Sequence, residues 1–97
     1  MKYAQLVKSD REGKKYKIVF YDKDRKKLKT THFGSSNMSD YTKHKDDERK
    51  KLYLARHEKN EDWNNYMTPG SLSRWVLWEY KSLNEAIRKY KQKFNLL

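Results

Sequence analysis

Three histidines, His32, His44 and His57, are the side chains best suited to metal binding or proton transfer. Asp40 and His44 stand four apart, which places both on one face of a helix. Two ligands do not complete a metal site, and no further pair has ligand-like spacing. A surface or hydrogen-bonded histidine is therefore expected at each position. Glu48-Arg49-Lys50 repeats the E-x-K pattern of metal-dependent nucleases. That chemistry needs a strand and a partner Asp on a neighbouring strand, whereas these residues read as helix. Arg56 and His57, with Asp46, Asp47 and Glu48 a turn or more away, read as a structural charge network. Ser71 and Ser73 lack the strand-turn-helix setting of an activated serine. Gly13, Gly34 and Gly70 stand alone, so no glycine-rich loop cradles a phosphate. There is no cysteine, which excludes disulfides and thiolate zinc sites. We expect no enzyme, no cofactor, no metal and no small-molecule substrate.

Binding chemistry is better represented. The segment "KKYKIVFYDKDRKKLK", residues 14–29, carries eight Lys or Arg against two acidic residues. Tyr16, Ile18, Val19, Phe20 and Tyr21 are interleaved with that charge. The whole chain of 97 residues has a net charge of +11. Residues 1–33 supply +7 of it, residues 34–62 none and residues 63–97 the remaining +4. Such asymmetry points to an anionic partner docking on the N-terminal part. Charged residues make up 38% of the chain, but 3 Trp, 8 Tyr and 3 Phe argue for a packed core over disorder.

Two turns organise this basic region. "DREGKK" at 10–15 and "DKDRKK" at 22–27 share an Asp start and a Lys-Lys end. Asp suits the first turn position and Gly the fourth, where φ is often positive. Gly13 fits, while Arg25 holds the matching place at a cost of up to ~1 kcal/mol. Read as three-residue hairpin loops, the turns set Lys14 opposite Asp10 and Lys26 opposite Asp22. Leu6 then faces Ile18, Ile18 faces Thr30, Ala4 faces Phe20, and Phe20 faces Leu28. Alternation collects Ala4, Leu6, Tyr16, Ile18, Phe20, Leu28, Thr30 and His32 on a core face. Tyr3, Gln5, Val7, Lys15, Lys17, Val19, Tyr21, Lys27, Lys29 and Thr31 fall on the other.

Helices are expected afterwards. One spans about 40–59, with Asp40 as cap and Asp46, Asp47 and Glu48 near its start. Thr68 and Pro69 start a second, over 68–80. Its Leu72, Trp75, Val76 and Trp78 cover more than one face, as in a helix buried on most sides or used in an interface. "SLNE" at 82–85 is a capping box opening a third helix over 82–95. The expected fold is one α+β domain over 1–97, a three-stranded antiparallel meander in 1–33 followed by about three helices packed on one sheet face. Residues 1–8 lack a secretory signal core and no run of about 18 apolar residues occurs, so a soluble, non-secreted protein is expected.

"HFGSSNMSDYTKHKDDERKKLYLARHEKNEDW", then "TPGSLSRWVLWE" and a closing Y-x-x-x-F, resembles a family of small basic proteins of giant DNA viruses of algae and amoebae. The resemblance covers residues 14–95, and Arg25, where a turn glycine would be usual, is a small departure that touches only hairpin geometry. It implies a viral setting, in the virion or in the viral factory of the host cytoplasm or nucleus, and carries over no catalytic residue. The residues point to sequence-independent nucleic-acid binding, and the viral resemblance implies DNA in preference to RNA, in condensation, packaging or the virion core. Lys15, Lys17, Lys27 and Lys29 would contact phosphates and Tyr21 would stack on bases. Arg11, Lys23 and Arg25 would widen the footprint. The alternative is a structural virion protein bound to acidic capsid or core partners or to an anionic membrane. There Trp75 and Trp78 would form the interface, within a homo-oligomer or with another chain.

Overall fold

Asp10 and Asp22 begin the two tight turns, and the chain between and around them zips into a meander. The computed structural model describes residues 1–97. Strands β1 (Tyr3–Lys8), β2 (Lys14–Tyr21) and β3 (Lys27–Ser35) form an antiparallel sheet in the order β1-β2-β3. The first turn closes with the Lys14 N–H donating to the Arg11 carbonyl at 3.2 Å, and Gly13 takes its positive φ of 83°. The register it sets is the expected one, with Leu6 opposite Ile18 and Ala4 opposite Phe20. In the second turn the Asp22 carboxylate accepts from the N–H groups of Asp24 and Lys26, both at 2.9 Å. Arg25 there adopts φ 64°.

The second hairpin departs from regular alternation. Tyr21 pairs with Lys27, but Phe20 pairs with Lys29, so Leu28 is the extra residue of a β-bulge. Every later residue of β3 is displaced by one. Thr31, not Thr30, faces Ile18, and Phe33, not His32, faces Tyr16. The expected core positions Leu28, Thr30 and His32 therefore leave the core face, and Thr31 joins it. The physical reason is Phe33. Unbroken alternation would turn its ring to the outer side, whereas the bulge seals it at 0% exposure and leaves Leu28 at 48%. Phenylalanine is the larger apolar surface of the two, so the exchange favours the bulge. Thr31 brings a hydroxyl inward, and it is satisfied by donating to the Met67 carbonyl at 2.8 Å.

After the sheet, the expected helix over 40–59 is two. Helix α1 (Tyr41–His44) is capped by Asp40, whose carboxylate accepts from the Thr42 N–H. It stops at Lys45, which turns left-handed at φ 55° and returns its N–H to the Tyr41 carbonyl. Asp46 then caps α2 (Asp47–His57), accepting from the N–H groups of Glu48 and Arg49. Two Asp residues, each able to bind the backbone ahead of it, prefer helix starts to helix interiors, which breaks the run. A 3₁₀ turn, Glu58–Asn60, follows. Thr68 and Pro69 do open helix α3 (Pro69–Leu72), which continues as a π-helical segment, Ser73–Trp78. There three consecutive side chains, Val76, Leu77 and Trp78, are all buried. Ser82 caps α4 (Leu83–Lys93) through the Glu85 N–H.

The fold is α+β, with the helices on one face of the sheet. Ala4, Ile18, Phe20 and Phe33 from the sheet share one core cluster with Tyr41, Tyr53, Leu72, Val76, Leu77, Trp78, Tyr90 and Leu96. The end of the chain returns to the sheet, where Leu96 bridges Lys2 in parallel and the Ala4 N–H donates to the Leu97 carbonyl at 2.8 Å. Tyr90 donates its hydroxyl to the Tyr66 carbonyl at 2.6 Å, and burial raises its pKa. Tyr53 stacks on Trp78 with centroids 4.2 Å apart, and burial pushes its pKa up to about 12. No helix is long and apolar enough to cross a membrane.

Candidate nucleic-acid interface

The strand residues that alternate away from the helices are Tyr3, Gln5, Val7, Lys17, Val19, Tyr21 and Lys27, with Thr30 and His32 from β3. None of Tyr3, Val7, Val19 or Tyr21 belongs to the core cluster or packs against it. This face of the sheet lies away from the core cluster, although Val19 at its centre is itself buried and Tyr3, Val7 and Tyr21 are half-buried. Of the eleven Lys and Arg in residues 1–33, only Lys15 and Lys17 pair with a carboxylate. The basic surplus of the N-terminal third is therefore largely unneutralised.

The four lysines do not form the single patch that strict alternation predicts. Lys15 runs under the chain to Asp40, Nζ to Oδ2 at 2.6 Å, with side chains only 9% and 2% exposed. It lies beside Gly34, which takes a left-handed φ of 78°, and Asp40 also accepts from the Thr42 N–H and hydroxyl. Lys15 is thus a tie between the sheet and α1 and is closed to phosphate. Lys29 pairs with Phe20 and so leaves on the helix side of the sheet, the consequence of the bulge at Leu28. Lys17 is on the open face but reaches Asp10 at 3.3 Å. That contact, after a backbone hydrogen bond, helps hold the Asp10 carboxyl below its usual pKa. Only Lys27 is on the open face without a carboxylate partner.

A more local cluster replaces the patch. Tyr3 lies opposite Tyr21 at the end of the sheet nearest the second turn. Arg25 reaches back from that turn and sets its guanidinium 4.8 Å from the centre of the Tyr3 ring. Tyr3, Gln5, Tyr21, Arg25 and Leu97, with the Ala4 backbone between them, line an open groove of about 340 Å³. The Tyr21 hydroxyl donates to Gln5 Oε1 at 3.5 Å. Lys27 lies directly opposite Tyr21, and Lys23 is exposed in the adjoining turn. Arg11 sits in the other turn, at the far end of β2, and takes no part. Gln5 could be placed here by its odd position in β1, but Leu97 could not, because its return to β1 is a long-range pairing.

Arg25 holds a left-handed backbone that costs a non-glycine residue about 1 kcal/mol. Its cation–π contact returns about 0.5–1 kcal/mol. Arg25→Gly is thus expected to leave the urea midpoint nearly unchanged while removing a cation from the groove. A large loss of stability would show that the turn depends on the arginine side chain.

The tryptophans lie elsewhere and in use. Trp78 is buried between Tyr53 and His44, so the sequence-based assignment to an interface is corrected to the core. Trp75 is half-buried, donates its indole N–H to the Trp63 carbonyl at 2.9 Å, and has Arg74 and Lys93 against its ring at 4.3 and 4.6 Å. Asp40 and His44 do not converge either. His44 Nδ1 accepts the Asp46 N–H at 3.0 Å, while Asp40 is taken by Lys15 and Thr42. The charge network around His57 is also absent, since the His57 ring packs tilted against Tyr53 with centroids 4.3 Å apart and Asp47 accepts from the Tyr41 hydroxyl. That hydrogen bond pushes the Tyr41 pKa up to about 12 and holds Asp47 below its usual value.

The scaffold is α+β, and one face of its sheet carries basic and aromatic side chains away from the core. Residues 4–57, from β1 to the end of α2, match a family of unknown function, DUF5754, and the chain belongs to that family. No curated protein and no solved structure matches the chain.

Proposed function

We propose that this chain is a non-catalytic protein that binds nucleic acid without regard to sequence, through the open face of its sheet. The observation that supports this is the groove end of that face, where Tyr3, Tyr21, Arg25 and Lys27 stand together on a region of net +7. Phosphates recognise unpaired cations through counterion release, and bases recognise aromatic rings by stacking. The polyanion is DNA in this proposal, in the condensation, packaging or core of a virus, as the resemblance to giant-virus proteins implies. A Trp-based capsid interface has less support, because Trp78 is buried and Trp75 is flanked by cations.

Fluorescence anisotropy with labelled DNA at a series of salt concentrations tests the proposal. The affinity is expected to fall steeply as salt rises, with a log–log slope of about −0.9 per phosphate contacted on duplex and about −0.7 on single strands. Arg25→Glu with Lys27→Glu is expected to weaken binding on every sequence alike and to reduce the slope by about 2. Binding that is absent at low salt, or indifferent to salt, would refute it.

A further inference from the structure

We infer that the nucleic acid is held as a single strand, with an unpaired base seated in the groove between Tyr3 and Tyr21. The inference rests on the proposed binding function and narrows its ligand. A duplex hides the faces of its bases and offers phosphates and base edges. Sequence-independent binding does not read those edges, so a duplex would leave the aromatic rings of this face without base faces to stack on. The open side of the meander is a sheet surface, indented by about 340 Å³, at the low end for a ligand site and on the scale of one base.

The lining suits a base better than a phosphate alone. Tyr3 and Tyr21 supply two aromatic rings from directly opposed positions. Gln5, bonded to the Tyr21 hydroxyl, supplies an amide at 3.5 Å from that ring oxygen, able to donate to or accept from a base edge. Arg25, already 4.8 Å over the Tyr3 ring, offers a planar cation on which a base can stack or to which the adjoining phosphate can bind. Leu97 closes one wall with apolar surface. Lys27, paired opposite Tyr21, offers a cation to a neighbouring phosphate. Stacking alone is sequence-tolerant, because every base has a π-face.

Anisotropy titrations of the intact chain against a labelled oligothymidylate and a duplex of equal length, at one salt concentration, test the inference. Single strand is expected to bind more tightly. Tyr21→Ala and Tyr3→Ala should each lower single-strand affinity by roughly 5- to 150-fold and lower duplex affinity, which rests on phosphate contacts, far less. Tyr21→Leu, which keeps apolar cover on the sheet but removes the ring, should behave as Tyr21→Ala does, while Tyr21→Phe should retain binding. Equal binding of the two forms, insensitive to both tyrosines, would overturn the inference and leave the broader proposal standing. Failure of either form to bind at low salt would overturn both.

Discussion

Asp40→Ala is expected to cost the fold about 3–5 kcal/mol, because it leaves the Lys15 ammonium buried without its counter-charge. Both side chains are nearly sealed, at 9% and 2% exposure, and their atoms meet at 2.6 Å. The same carboxylate caps α1 through the Thr42 N–H, so the change also frees a helix end. A domain of this size has roughly 5–15 kcal/mol in all, so a large share of the molecules should unfold in mild urea. The double variant Lys15→Met with Asp40→Asn separates the two effects. Methionine removes the charge and keeps the stem's volume, and asparagine keeps the cap. It should recover most of the urea midpoint lost by Asp40→Ala, since a buried pair removed together costs far less than one partner removed alone. If Asp40→Ala melts like the parent, Lys15 has a route to water, and its place on the binding face must be reconsidered.

The second large effect concerns the register of β3. Phe33→Ala is expected to cost about 3–5 kcal/mol, as for a fully buried ring. Leu28→Ala should cost about 0.5 kcal/mol, the usual size for an exposed position. The contrast is diagnostic because unbroken alternation predicts the reverse order. Phe33 is 0% exposed and packs 6.2 Å from the Tyr16 ring, whereas Leu28 is 48% exposed as the extra residue of the bulge. Urea titration of the two variants side by side measures the difference. A larger loss at Leu28 would mean that β3 pairs in regular register and that Lys29 joins the open face after all.

The candidate site was partly legible for related reasons. Tyr21 and Lys27 could be assigned to the outer face because both lie next to the turn that sets their pairing, before the bulge intervenes. Lys29, two residues further, was misplaced because a bulge inserts one residue and reverses the faces beyond it. Lys15 is an outward position by count, yet the approach of Asp40, at the start of α1, draws it inside. Arg25 showed itself as an unusual residue for a left-handed position. Its contact with Tyr3 joins residues far apart in sequence and had no local signal. The two tryptophans look alike in "SRWVLWEY", and their difference is set by what packs on them, Tyr53 against one and two cations against the other.

Local chemistry carried its own instructions wherever one residue acts on its neighbours. The Asp turns, Gly13, the Thr68–Pro69 start, the Ser82 cap and the first hairpin all follow from short-range sterics and hydrogen bonds written in adjacent letters. The class of fold followed too, since alternating and helical hydrophobic patterns are incompatible with each other's geometry. Three-dimensional packing alone settled the bulge, the burial of Lys15 and the groove beneath Arg25. Each of those is a competition between distant groups for the same interior or the same surface, and its outcome depends on which apolar ring gains most by leaving water.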